Sequence, residues 1–235
     1  MKILAIDTAL KACSVALFDT TGVSPPVSES VPMLRGHAEA LMPMVARVVA
    51  AARLPFSDID RYAVTVGPGT FTGIRVGVAA GRGLSLAAGR SLIGITTLEA
   101  YAAELADESE GAPVAIALDA RRGEVYFQTF DSAGQPLSEA AALAPEAAAE
   151  SLGTDAVLAG SGARLVADAL SALGRTVRLS SRDLGPGPDP MIIARLATEK
   201  AVPDRRPAPL YLRPADAKPQ PGAVARQADG RASAP

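Results

Sequence analysis

The feature that most constrains this chain is an echo of its first half in its second. Asp7 and Asp19 stand twelve residues apart around two short apolar runs, KILAID (2–7) and CSVALF (13–18), and Asp119 and Asp131 stand at the same separation around PVAIALDARRGEVYFQTFD (113–131). Further on, AVTVGPG (63–69) returns as AVLAGSG (156–162), each an apolar strand that closes on Gly-x-Gly and leads into a helix-like run. Two correspondences in the same order predict one structural unit used twice, each copy opening on a β-hairpin.

The remaining elements follow from periodicity and punctuation. Residues 37–53 carry Leu41, Val45, Val48 and Ala52 at helical spacing, with Pro43 predicting a kink or a late start. RYAVTV (61–66) reads as a strand, residues 72–88 as a helix and SLIGI (91–95) as a short strand, after which Thr96 and Glu99 form a capping box for a helix reaching about Asp107. A last helix is expected at about 190–201, packing back on the first lobe, with PLYLRP (209–214) as an extended ending. Lobes are expected at 1–108 and 109–215; residues 216–235 lack aromatics and large apolar side chains, which predicts a disordered tail. A duplicated βββα-containing unit of this kind resembles the actin, Hsp70 and sugar-kinase (ASKHA) superfamily, α/β proteins that hold ATP between two lobes.

Composition narrows the function classes. Of 235 residues 49% are hydrophobic, enough for either one large domain or two small ones, of which two are expected. The formal charge of −2 leaves no global positive field to draw nucleic acid or an anionic membrane. One cysteine, Cys13, and one histidine, His37, allow neither an intramolecular disulfide nor a Cys/His zinc site, and a reducing cytoplasm fits. Polar residues interrupt the first apolar run at once, and no stretch approaches the ~18 apolar residues of a membrane span, so neither secretion nor membrane insertion is expected.

GPGTFTGIRVGVAAGRGLSLA (67–87) invites a phosphate-loop reading and fails it. It lacks the terminal Gly-Lys-Ser/Thr, and its glycines do not match Gly-x-Gly-x-x-Gly after a first strand. Gly69, Gly73, Gly77 and Gly81 instead fall four apart and make a bare stripe along one side of a helix. Each helical glycine costs about 0.5–1 kcal/mol against alanine, so the stripe marks a close approach. It faces the chain's own sheet, a second protein or a ligand. Two neighbouring helices with apolar or small faces point to a partner's helices, with Leu41, Val45, Val48, Gly73, Gly77, Gly81 and Leu84 as the candidate interface.

ILAIDTA, RGHAEALMP, VGPGTFTGIRVGVAAGRGLSLA, GITTLEA, LDARRGEVY and PLYLRPADAK, spread over roughly residues 1–217, together resemble the TsaB (YeaZ) family. The resemblance implies a non-catalytic subunit of the bacterial machinery that places threonylcarbamoyl on N6 of adenosine 37 in tRNAs reading ANN codons. It implies dimerisation with and activation of a catalytic TsaD-like subunit, a TsaE-like ATPase joining the pair, tRNA met only through the complex, and a homodimer when alone. No cofactor is then required by this chain itself, with ATP and Mg²⁺ acting at the level of the complex.

Two contrasts sharpen the expectation. The catalytic TsaD relatives carry His-x-x-x-His on the first helix, whereas here His37 is followed at i+4 by Leu41, which leaves His37 as a helix-start or surface residue. Actin-like ATPases use Asp-x-Gly-Thr/Ser in the hairpin turn, and this chain has Asp7-Thr8-Ala9-Leu10. Asp7 and Asp119 either face each other across a nucleotide cleft and hold Mg²⁺ through water, with Arg121 on a phosphate, or they simply end strands and cap turns. The competing function is an independent small-molecule kinase or ATPase using Asp7 and Asp119.

Overall fold

The structure, a computed structural model, describes residues 1–153 and 155–213; the tail expected at 216–235 lies outside the described residues. The first sheet contains β1 (Lys2–Asp7), β2 (Ala12–Asp19), β3 (Val27–Pro32), β4 (Arg61–Gly67) and β5 (Ser91–Thr96), in the order β3-β2-β1-β4-β5. β1 and β2 pair antiparallel with Asp7 opposite Ser14, and β1, β4 and β5 run parallel. The second sheet contains β6 (Val114–Arg121), β7 (Glu124–Phe130), β8 (Ala141–Leu143), β9 (Val157–Ala159) and β10 (Arg178–Leu179), in the order β10-β9-β6-β7-β8. Strand for strand this is the same plan, three antiparallel strands followed by two parallel crossovers, and it is the two-lobed plan of the actin, Hsp70 and sugar-kinase superfamily.

Among the described residues six α-helices fill the connections: α1 (His37–Ala51), α2 (Phe71–Ala88) and α3 (Thr97–Glu104) in the first half, α4 (Pro145–Ser151), α5 (Ala163–Ala172) and α6 (Pro190–Glu199) in the second. The period-two alternation of β1 sends Leu4 and Ile6 into one core with Leu41, Val45, Val48 and Ile74 of α1 and α2. Ile3 and Ala5 point the other way, into a core with Ile93, Ile95 and the α6 residues Ile193, Ala194 and Ala197. Both faces of the first sheet are thus covered, which is why KILAID reads as a continuous apolar run. α4 and α5 cover one face of the second sheet. α3 packs Leu98, Tyr101 and Leu105 on its other face, against Leu118 and Phe130, and so lies between the two sheets.

Local chemistry sets the helix ends. Thr96 Oγ1 accepts from the Glu99 amide at 3.0 Å while Glu99 Oε2 accepts from the Thr96 amide at 3.2 Å, the reciprocal capping box read from the sequence. The helix then stops at Glu104 rather than about Asp107, because the chain closes into turns in which the Ser109 amide donates to the Leu105 carbonyl. α1 starts at His37 and passes through Pro43, so the proline does not delay it. Four named elements had no counterpart in the sequence reading: β3, an edge strand with most of its residues exposed, the three-residue β8, the helix α4 and the short β10. Among the described residues no helix is long and apolar enough to cross a membrane.

Candidate docking face and interlobe cleft

The glycine stripe faces inward. A Cβ on Gly69 would lie 2.3 Å from the Ala9 carbonyl oxygen, and one on Gly73 2.0 Å from that of Thr8. At Gly77 it would meet Thr8 Oγ1 at 2.6 Å, and at Gly81 it would press on Leu92 at 3.1 Å. The approach is cemented by two hydrogen bonds: the Thr70 amide donates to the Ala9 carbonyl at 2.7 Å, and the Thr8 hydroxyl donates to the Gly73 carbonyl at 2.7 Å. The glycines therefore seat α2 against the β1–β2 turn and β4 of the same chain, with the Thr70 side chain capping the helix.

This corrects the expected interface residue by residue. Leu41, Val45 and Val48 are at most 1% exposed in the chain's own core, Gly73, Gly77 and Gly81 are buried, and Leu84 is half-buried against that core. Four-residue spacing defines a stripe without saying which way it faces, and here the sheet claims it. The same two helices carry a second set of small and apolar side chains on the opposite side. On α2, Ala79, Gly83 and Ala87 are exposed at four-residue intervals, with Leu86 62% exposed beside them; on α1, Met42, Ala46 and Ala50 are exposed at the same spacing. Among the described residues no atom stands within 4 Å of where a Cβ on Gly83 would sit. The sequence contained this second stripe, but alanine is too ordinary a helix residue to signal a contact.

Between the lobes lies a cleft of about 970 Å³ whose walls include Lys11, Thr70, Tyr101, Asp119, Arg121 and Ser161. The sequence placed Asp7, Asp119 and Arg121 here, and the structure brings only the last two to it. Asp119 Oδ1 accepts from the Arg121 amide at 2.8 Å and its other oxygen lies 3.3 Å from Arg121 Nη1, an ion pair on an exposed turn. Arg121, Arg122 and Gly123 all have left-handed φ values of 64°, 57° and 76° in the β6–β7 turn. Arg213 clamps this turn by donating to the carbonyls of Ala120 and Arg121 and pairing with Glu124.

Asp7 is withdrawn from the cleft, which corrects its assignment as a nucleotide-cleft residue. It is wholly buried; Oδ1 accepts from the Thr65 hydroxyl and the Ala9 amide, while Oδ2 has no partner among the described residues. A Cβ on Gly187 would come within 3.0 Å of that free oxygen, so the segment before α6 closes over it. Burial pushes the Asp7 carboxyl up to about 6 against the lowering pull of its two donors. The covering segment is held at both ends by α3 and the turn after it: Glu108 accepts from Ser180 and Ser181, and Glu104 accepts from the Asp189 amide at 2.7 Å. Burial likewise raises Glu104 to about 7. His37 opens α1 as expected, but it is buried rather than at the surface, with Nε2 unpartnered among the described residues. Among the described residues no group of three or more His, Cys, Asp and Glu side chains is placed to hold a metal ion.

A family model described as TsaD, tRNA N6-adenosine threonylcarbamoyltransferase, matches residues 15–180. The chain belongs to this family. Within it, the similarity runs to TsaB (YeaZ) proteins. The tRNA threonylcarbamoyladenosine biosynthesis protein TsaB of Escherichia coli is 39% identical over 130 residues, 55% of each chain. The chain thus spans about half the length of the curated relatives it matches. A solved structure of YeaZ from Pseudomonas aeruginosa is 29% identical, covering 84% of this chain and 92% of that one with a TM-score of 0.71. A second Pseudomonas aeruginosa structure, described as similar to peptidase YeaZ, is 29% identical and covers 90% and 99% with a TM-score of 0.74.

Proposed function

We propose that this chain is a non-catalytic partner subunit in threonylcarbamoyladenosine biosynthesis on cytoplasmic tRNA, docking a catalytic TsaD-like subunit through the outward face of α1 and α2. The observation that carries the reading is Gly83. An exposed glycine in a helix interior costs about 1 kcal/mol against alanine, and none of the described residues occupies the space before it. With Ala79 and Ala87 it leaves a smooth surface on which another helix can approach closely, and Met42, Ala46 and Ala50 extend that surface onto α1. Two helices from each partner then form a four-helix contact.

The docked subunit supplies the chemistry, and this chain favours its competent conformation and helps to shape the surface met by a TsaE-like ATPase and by the tRNAs that read ANN codons. Alone, the same smooth face pairs with itself as a homodimer. ATP and Mg²⁺ then act at the level of the complex. The withdrawal of Asp7, which leaves Asp119 without the second carboxylate such a site would use, weighs against an independent small-molecule kinase or ATPase. Size-exclusion chromatography with light scattering tests the reading on the chain alone and mixed with the TsaD-like subunit of the same cell. Exchange of a homodimer for a one-to-one heterodimer is the expected outcome; a chain that ignores that subunit shifts the weight to the independent small-molecule enzyme.

A further inference from the structure

A second cleft, of about 700 Å³, lies between α3, α6, β7 and the segment carrying Leu210. It uses no residue of α1 or α2 and is independent of the docking face. Its charge is one-sided: Glu99, Asp131, Glu139 and Glu199 line it against the single ammonium of Lys200, which is already engaged by Glu99 at 2.6 Å. Apolar side chains, Phe130, Leu196 and Leu210 among them, form much of the rest.

Gln128 supplies the second, independent feature. Its side chain belongs to the cleft wall but is only 8% exposed; Nε2 donates to the Ser138 carbonyl at 3.0 Å, and among the described residues Oε1 has no partner. A buried acceptor left open costs about 1–3 kcal/mol, so a folded chain that tolerates one gains from a molecule bringing a donor. We propose that this cleft binds an organic cation, a protonated amine on an apolar body. The body displaces water from the apolar wall, an N–H satisfies the Gln128 carboxamide oxygen after a small turn of that group, and the rim carboxylates hold the positive charge. An anion is repelled by the rim, and a neutral hydrocarbon leaves the acceptor open.

The probe is 2-phenylethylammonium, titrated into the full chain and followed by backbone amide shifts in NMR, with neutral 2-phenylethanol as the control. Saturable shifts at Gln128, Phe130 and Ala102 are expected, with the alcohol at least about tenfold weaker. Gln128→Leu should weaken the amine about tenfold while keeping or raising the melting temperature, since it removes an open acceptor. Glu139→Gln with Glu199→Gln, two exposed rim positions, should weaken it as well and decides the matter if Gln128→Leu fails to fold. Absence of saturable shifts at those amides up to about 10 mM amine, equal binding of the alcohol, or unaltered binding by the folded variants overturns the assignment.

Discussion

The Thr8 hydroxyl donates to the Gly73 carbonyl across 2.7 Å, and the Thr8 carbonyl oxygen lies 2.0 Å from where a Cβ on residue 73 would stand. Backbone therefore meets backbone at this crossing, and no rotamer change can make room. Gly73→Ala should cost about 3 kcal/mol or more in chemical denaturation. Gly77→Ala should cost less, because its clash is with the Thr8 hydroxyl, a side-chain atom. Gly83→Ala, with open space before it, should stabilise the chain by up to about 1 kcal/mol. A flat series across the three positions would refute this account of the stripe.

Gly83→Leu separates docking from folding. The new side chain enters open space, so the melting temperature should hold, while the bulk added to the Ala79–Gly83–Ala87 surface should weaken association with a second copy or with a TsaD-like subunit at least about a hundredfold. Gly77→Leu, in contrast, should simply unfold the chain. Undiminished association of a folded Gly83→Leu protein would move the interface off α2.

What was legible in the sequence was local or periodic. The hairpins, the strand into Gly-x-Gly and the Thr96–Glu99 capping box are short-range patterns, and their repetition gave the two-lobed plan. The direction of the glycine stripe was not legible, because facing is decided by which surface the sheet claims. β3 escaped because an edge strand with Ser28, Ser30, Val31 and Pro32 exposed shows no apolar alternation. The closure over Asp7 escaped because it joins residues 7, 104 and 187–189, held by backbone amides and a glycine that carry no periodic signal.

Asp7 should make stability depend on pH. Its carboxyl has an ordinary value of 3.8 and rises to about 6 on folding, so the folded chain holds the proton more tightly. Stability from this group is therefore fully present below about pH 4, is lost as pH rises towards 6, and stays lower by about 3 kcal/mol above it. Asp7→Asn keeps an acceptor for Thr65 and removes the titration. Measured by urea denaturation, its stability relative to the unaltered chain should improve by about 3 kcal/mol between pH 4 and pH 8. A constant difference across that range would show that the ionised form of Asp7 is accommodated after all.

Arg213 should prove to be the fastener between the C-terminal segment and the second lobe. Its guanidinium donates to the Ala120 carbonyl at 2.8 Å and the Arg121 carbonyl at 2.9 Å, pairs with Glu124, and lies 5.9 Å from the centre of the Tyr126 ring. The turn it grips holds two arginines at left-handed φ, a conformation costing about 1–2 kcal/mol per residue unless its surroundings enforce it. Arg213→Ala removes both carbonyl partners and should cost about 2 kcal/mol. Arg213→Lys should recover little, since a single ammonium cannot reproduce the two-pronged grip. Hydrogen exchange should accelerate at the turn amides Arg122, Gly123 and Glu124 in both variants while the β1–β2 hairpin of the first lobe stays protected. Equal acceleration in both lobes would mean that Arg213 supports the whole fold rather than this turn.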